Sequence, residues 1–543
     1  MQNPLVFRSR RSPVYARGGM AAASQPLAVA AGVEMLSRGG SAADAAVAVA
    51  AALSVTEPGS TGLGGDAFVL YYAANERKVY ALNGSGRAPA ALTLERVQRE
   101  GLGGGLPADH AYTVTVPGAC AAWCDLSARF GRLGLGAALA PAVRLAEEGF
   151  PVGPLTARLW EAGVGKLLHR SLNGLELTVE GRAPRPGEIF RNPGMARALR
   201  AAAEGGAAAF YQGEAGEAIC AAVRQAGGCL RMEDLAAHTS TWEEPIYSDY
   251  RGVRVWECGP NGQGLTALLA LNLLRGYDLG RMPALGARRL HLTAEALRLA
   301  FADARHFIAD PAFAPIPLEA LLSEDYAAQR RREMDPRRAN PQVRRGQPLP
   351  GGRDTVYFCT ADAEGNACSM VNSIYWNFGS GIVPQGWGFC LQNRGHNFSL
   401  EAGHANVLAP GKRPYHTIIA AMLTAPESGQ LVGAMGVMGG FMQPQGHVQV
   451  LSALLDDGLD PQSALDRLRF CLEWQGGEER LTLEEGIPAG TARALAARGH
   501  AVHTARGDER TLFGRGQIIL RDEQGVLWGG SEPRSDGGAA GLI

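Results

Sequence analysis

Apolar residues recur at helical spacing from Pro26 to Arg38 (PLAVAAGVEMLSR), and Pro26 suits a first turn. Gly39–Gly40 ends that helix, and Ser41 caps a second, alanine-rich one, SAADAAVAVAAALSV. TEPGSTGLGGDAFVLYY then reads as a glycine-rich turn feeding a strand, with another strand at 78–83. Residues 118–240 are mostly helical by periodicity. Strand-like YRGVRVWEC (250–258) leads through GPNGQG into a long helix, and 286–308 is another. Residues 309–354 change character: prolines are frequent, charges crowd together (RRREMDPRR), and the stretch ends in GQPLPGGRD. That pattern predicts an exposed, flexible segment. Beyond it strands are expected at 355–361, 367–374, 387–392, 417–424 and 431–437, a helix at 445–457, and strands again near the C-terminus. Helices dominate before the boundary and strands after it, yet each half holds some of the other. The mixture predicts a layered α/β domain assembled from both halves.

Composition narrows the function. The chain has 543 residues, 46% hydrophobic and 19% charged, with a formal net charge of −1. Nucleic acid and anionic membranes both favour a basic excess, so neither is an expected partner. Arginine clusters at 8–11, 330–338 and 344–345 read as solvated surface. Nine scattered cysteines, an odd number with no CxxC, point to a reducing compartment. SRRSPVYAR superficially resembles a twin-arginine export signal, but Arg17 and two glycines stand where such a signal needs an unbroken apolar run. The alanine-rich segment after them reads as a folded helix. No run approaches the ~20 apolar residues of a membrane span. A soluble, cytoplasmic protein is therefore expected. His396 and His404, eight apart beside glycines, fit no common zinc pattern, so no metal site is expected.

Candidate chemistry sits at the junction GGRDTVYF (351–358). A threonine hydroxyl needs an adjacent base, and an N-terminal threonine carries its own α-amino group, with a pKa near ~8. A chain break between Asp354 and Thr355 would create that arrangement, and a flexible segment running into a strand would allow it.

The motifs downstream are DAEGN, SIYWNFGSG, LQNRGHNFS, PGKRPYHTI, MGGFMQPQGH and GGSEPRSDGG. Upstream stand SQPLAVAAGVEMLSRGGSAADAAVA, TEPGSTGLGGDAF and TVTVPGACAAW. In order and spacing these resemble the γ-glutamyltransferase family of N-terminal nucleophile hydrolases, over roughly residues 20–540. The interval from Thr355 to Asn366 selects Thr355 over Thr360 as the nucleophile. The resemblance implies a four-layer αββα sandwich and a precursor that cuts itself into a large chain 1–354 and a small chain 355–543. It implies an acyl-enzyme on Thr355, released by water or by an amine, with a small-molecule amide as substrate and no cofactor. Ser373 matches a hydroxyl that hydrogen-bonds the nucleophile, and Gly439–Gly440 match the oxyanion hole. Two successive glycine N–H groups can converge on one developing negative charge. Homo-oligomers are compatible with the resemblance, and glutathione metabolism is the role it suggests.

The substrate pocket departs from the family. The arginine that grips an α-carboxylate falls on Ser85, with Arg87 two residues on. Tyr375, Arg394 and Asn397 replace an asparagine, a glutamine and an aspartate that hold the α-ammonium, and His416–Thr417 replace a serine pair. Losing the aspartate and gaining Arg394 favours an anion over a cation, since a bare buried ammonium is costly. A γ-glutamyl-type or related carboxylate-bearing amide is therefore the expected substrate. The alternative is a glutaryl- or oxamate-type amide with no γ-glutamyl activity, as in cephalosporin acylases. Two readings of other classes are weaker. GSTGLGGD runs from helix into strand, the reverse of a dinucleotide loop. A non-catalytic homologue that never processes itself would lack part of the nucleophile or oxyanion motif, and none is missing.

Overall fold

The computed structural model describes residues 11–543, save 172, 342, 344–354, 476 and 477. Two antiparallel seven-stranded sheets stack face to face. In one, the order is Gly538–Leu542, Gly19–Ala23, Val356–Asp362, Ala367–Ser373, Asp66–Ala73, Lys78–Gly84 and Thr241–Glu243. In the other it is Val14–Ala16, Leu527–Ser531, Arg515–Arg521, Leu431–Met438, Ala421–Thr424, Val253–Glu257 and Ile246–Tyr250. Each sheet combines strands from before and after residue 355, so neither half can close a sheet alone. Between them Met20, Phe68, Leu70, Tyr357, Ile418, Met422 and Ile519 form one apolar layer. Helices Pro26–Ser37 and Ala42–Thr56 cover the outer face of the first sheet, and Gly264–Leu274 and Met442–Leu455 cover the second. The result is a four-layer αββα sandwich.

Local sequence explains the covering helices. Every residue of Ala42–Thr56 is buried, and its alanines let it approach Pro26–Ser37 closely. A Cβ on Gly32 would sit 2.7 Å from Val49 Cγ2. Ser41 and Asp44 form a capping box, and Asp44 also accepts the Arg132 backbone N–H at 2.8 Å.

Three expectations need correction. GMAAA at Gly19–Ala23 is a strand, and the helix begins only at Pro26. Pairing with Val356–Asp362 on one side and Gly538–Leu542 on the other overrides alanine's helical preference. Residues 387–392 form no strand: Leu391 N–H bonds Ile382 O and Gln392 N–H bonds Gly64 O, tying loops together. Within 309–343, Leu318–Leu322 and Glu324–Arg331 are helices, and Leu321 and Ala327 are buried. The surrounding prolines and arginines mask their apolar spacing. The cleavage junction at Asp354 and the rest of 344–354 lie outside the described residues.

Among the described residues no helix is long and apolar enough to cross a membrane.

Candidate active site

Thr355 stands at the head of Val356–Asp362, which forms a hairpin with Ala367–Ser373. The DAEGN turn fixes the hairpin. Asp362 Oδ1 accepts the Glu364 and Asn366 N–H groups, both at 3.0 Å, and Asn366 Oδ1 accepts Ala74 N–H at 2.9 Å. Val356 pairs with Asn372, which brings Thr355 beside Ser373: Oγ1 and Oγ lie 3.0 Å apart, both buried. Ser373 Oγ also accepts Tyr375 N–H at 2.9 Å and an Arg394 N–H at 3.3 Å. Two N–H donors occupy its lone pairs, an arrangement that leaves its own hydroxyl hydrogen available to Thr355 Oγ1.

Arg394 opens the short 3₁₀ turn Arg394–Asn397 and is wholly buried. One guanidinium nitrogen donates to Thr417 Oγ1 at 2.6 Å, and the group lies 4.2 Å from the centre of the Tyr375 ring. Tyr375, at φ 77°, donates its hydroxyl to Asn397 Oδ1 at 2.6 Å. Asn397 Nδ2 donates to Tyr415 O at 3.1 Å, so both ends of that amide are engaged.

A carboxylate that sequence reasoning missed completes the cluster. Asp66 opens strand Asp66–Ala73, directly opposite Ser373 in the register. Its Oδ1 accepts Gly86 N–H at 2.9 Å, and Oδ2 lies 3.0 Å from His416 Nε2 and 4.0 Å from Arg394 Nε. Ile418 N–H points at His416 Nδ1 at 3.4 Å, which places the ring hydrogen on Nε2, facing Asp66. Burial pushes the Asp66 carboxyl up to about 7 despite the opposing pull of Arg394. Burial, with Arg394 and Arg413 nearby, holds His416 well below its ordinary range. Arg394 is lowered to about 10 by burial and stays cationic at neutral pH. An acidic residue within the otherwise apolar GGDAFVLYY was the available signal.

Gly439–Gly440 follow strand Leu431–Met438, with φ of 132° and 59°, a conformation that L side chains rarely adopt. The strand lies over the one that Thr355 heads: a Cβ on Gly436 would meet the Tyr357 ring at 2.4 Å. Among the described residues neither Gly439 N–H nor Gly440 N–H has a hydrogen-bond acceptor. Gln263, also unforeseen, donates to Gly440 O at 2.9 Å and Thr417 O at 2.6 Å, joining the glycine turn to the segment that carries His416 and Thr417. The structure thus gathers Thr355, Ser373, Tyr375, Arg394, Asn397, His416 and Thr417. Arg87 is not brought among them; it donates to Thr239 O at 3.4 Å. Ser85 O is taken by Arg413 Nε at 3.1 Å.

One group among the described residues has the makings of a metal site: His291, Glu295 and His500. Its atoms are already engaged with protein groups. The two imidazoles bond each other at 2.8 Å, His291 Nε2 bonds Asp335 O at 2.7 Å, and Glu295 holds Arg298 at 2.6 Å. A guanidinium in that position disfavours a cation, and the cluster ties residue 500 to helix Ala287–Phe307.

The Gamma-glutamyltranspeptidase family model matches residues 28–542. The chain is 38% identical to the glutathione hydrolase-like YwrD proenzyme of Bacillus subtilis, over 95% of this chain and 97% of that one. It is 34% identical to the acylase ACY 1 proenzyme of a Pseudomonas strain, over 98% and 95% of the two chains. The solved structure of a cephalosporin acylase from Bacillus halodurans superposes with a TM-score of 0.90 at 44% identity, covering 100% of this chain and 99% of that one.

Proposed function

Because the chain belongs to the γ-glutamyltranspeptidase family of self-processing N-terminal nucleophile hydrolases, we propose that Thr355 is its nucleophile and that its substrate is an amide whose acyl group carries a carboxylate. Cleavage of the Asp354–Thr355 bond gives chains 1–354 and 355–543 and frees the Thr355 α-amine. That amine takes the proton of Oγ1 as the oxygen attacks the amide carbonyl. Ser373 donates to Oγ1, and the N–H groups of Gly439 and Gly440 receive the oxyanion. The C–N bond breaks, the amine leaves with the proton, and water or an amine then releases the acyl group.

The arrangement that carries this reading is the relay Thr355–Ser373–Arg394, hydrogen bonds of 3.0 and 3.3 Å in series. It sets a guanidinium within two hydrogen bonds of the nucleophile, with Thr417 alongside and His416 joined through Asp66. Asn397, its amide engaged by Tyr375 and Tyr415, offers no countercharge to an α-ammonium. Glutaryl- and oxamate-type amides therefore suit the pocket better than γ-glutamyl ones. Asp66 supports a second reading, because its carboxylate could pair with an ammonium and make the enzyme a glutathione hydrolase. Nine cysteines, with no disulfide among the described residues, suit a reducing, cytoplasmic setting.

A denaturing gel of purified protein should show two bands, the smaller beginning TVYFC by N-terminal sequencing, whereas Thr355→Ala should give one inactive band near 57.2 kDa. Active protein that stays uncut, or a different start, overturns the nucleophile assignment. Turnover of a γ-glutamyl anilide far above the matching glutaryl anilide overturns the substrate reading.

A further inference from the structure

Among the described residues, Asp66 is the one carboxylate within ion-pair range of Arg394. Arg413, the other buried cation nearby, has carboxylates of its own: Glu243 lies 3.8 Å from its guanidinium, and Asp310, held by the Arg413 backbone N–H at 2.8 Å, adds a second negative charge. The pocket around Arg394 is therefore close to neutral before substrate arrives. A carboxylate entering it would leave a buried net negative charge, which is costly unless something neutralises it.

We propose that Asp66 is a specificity-determining residue: paired with His416, it takes up one proton from solvent as a substrate carboxylate binds Arg394. The inference rests on the carboxylate-amide reading above. The added proton need not be assigned to one atom, because Asp66 Oδ2 and His416 Nε2, 3.0 Å apart and already joined by the Nε2 hydrogen, titrate as one pair. Deprotonated, the pair carries one negative charge that cancels Arg394. Protonated, the pair is neutral, and Arg394 presents a full positive charge to the anion. Charge balances: one anion and one proton enter together. A zwitterionic γ-glutamyl head group needs no such uptake, since its ammonium would answer Asp66 directly.

The groups facing Asp66 set where this happens. Arg394 and Arg413 favour the carboxylate, as do the Gly86 and Gly118 N–H groups. Burial opposes them, and Tyr211, on the helix behind, stays neutral. The balance leaves Asp66 near 7, inside the working range of a neutral enzyme. Glu243, also raised to about 7 by burial, faces Arg413 rather than Arg394, and Arg87 stands beside it.

Below pH 7 the pair holds its proton and the anion binds at full strength. Above it, each pH unit removes about tenfold of the protonated form, so KM for glutaryl p-nitroanilide should rise about tenfold per unit. The kcat should instead follow the Thr355 amine, so the two parameters separate. Asp66→Asn fixes the neutral form, and its KM should be flat across the same range. An independent reading uses wild-type enzyme and 5-oxohexanoate, a methyl ketone that mimics glutaramide but cannot be hydrolysed. Calorimetry at pH 7.5 in two buffers of different ionisation enthalpy should show net proton uptake on binding, more than half a proton per site. A flat wild-type KM with no proton uptake overturns the inference while glutaryl turnover still upholds the substrate reading. An inflection that survives Asp66→Asn also overturns it and assigns the titration to Glu243. Should only γ-glutamyl compounds be turned over, and Asp66→Asn abolish that turnover, the substrate reading itself fails and Asp66 is the ammonium partner.

Discussion

Arg394→Gln separates charge recognition from catalysis. The guanidinium is wholly buried, and among the described residues its two terminal nitrogens donate to the hydroxyls of Thr417 and Ser373. A bound carboxylate would exchange one or both hydroxyl acceptors for an ionised one, each such bond contributing about 1.5–3 kcal/mol. At about 1.36 kcal/mol per decade, losing one lowers kcat/KM by roughly tenfold to 150-fold. Folding should tolerate the change, because Asp66 loses its nearest cation and its carboxyl, already raised by burial, takes a proton instead of remaining an unpaired buried charge. The assay compares glutaryl p-nitroanilide with pentanoyl p-nitroanilide, which has the same chain length without the carboxylate. In the wild type the glutaryl compound should be the better substrate. In the variant the ratio should collapse by the stated factor while the pentanoyl rate changes little. If both rates fall together, Arg394 supports the geometry of Ser373 and does not read charge. If neither falls, the carboxylate is bound elsewhere.

Asn397→Asp should shift preference toward γ-glutamyl p-nitroanilide by supplying a countercharge, and it should lower Tm because a carboxylate oxygen then faces Tyr415 O, now 3.1 Å from the amide nitrogen; an unchanged substrate ratio refutes the assignment. Gly65→Ala should slow precursor cleavage on the order of 10²-fold, since the new Cβ would lie 2.3 Å from Ser373 O and must displace the residue that orients Thr355; gel densitometry over time measures this, and wild-type processing would contradict it.

Much of the fold was legible because its elements announce themselves locally. Helix Ala42–Thr56 has a cap at Ser41, and the hairpin at Val356–Ser373 has alternating residues around a turn. Local pattern does not encode which strands meet. Gly19–Ala23 is a strand because Val356–Asp362 and Gly538–Leu542 enclose it, partners hundreds of residues away. Its four small residues and one methionine have no periodicity of their own, so propensity suggested a helix. The folded part of 309–343 misled in the opposite way: arginine and proline dominate its composition while a few leucines do the packing.

The site shows the same division with a sharper consequence. Motif order singled out Thr355, Ser373 and the side chains that the structure gathers around them, and comparing residues position by position with the family pattern pointed to a lost aspartate and a gained arginine. Counting charges at matched positions is valid only if no other position contributes. Asp66 contributes from a different strand, through a register that sets it opposite Ser373. The arginine therefore does not stand alone: Arg394 and Asp66 form a compensated pair, and His416 bonds the same carboxylate oxygen that faces Arg394. A lone buried guanidinium would be costly to hold in an empty pocket. The acid stabilises the empty pocket, and its proton affinity decides how much positive charge the substrate finds. Specificity here belongs to the pair, so substituting either member alone should alter the pH range over which the enzyme works as well as which acyl group it accepts.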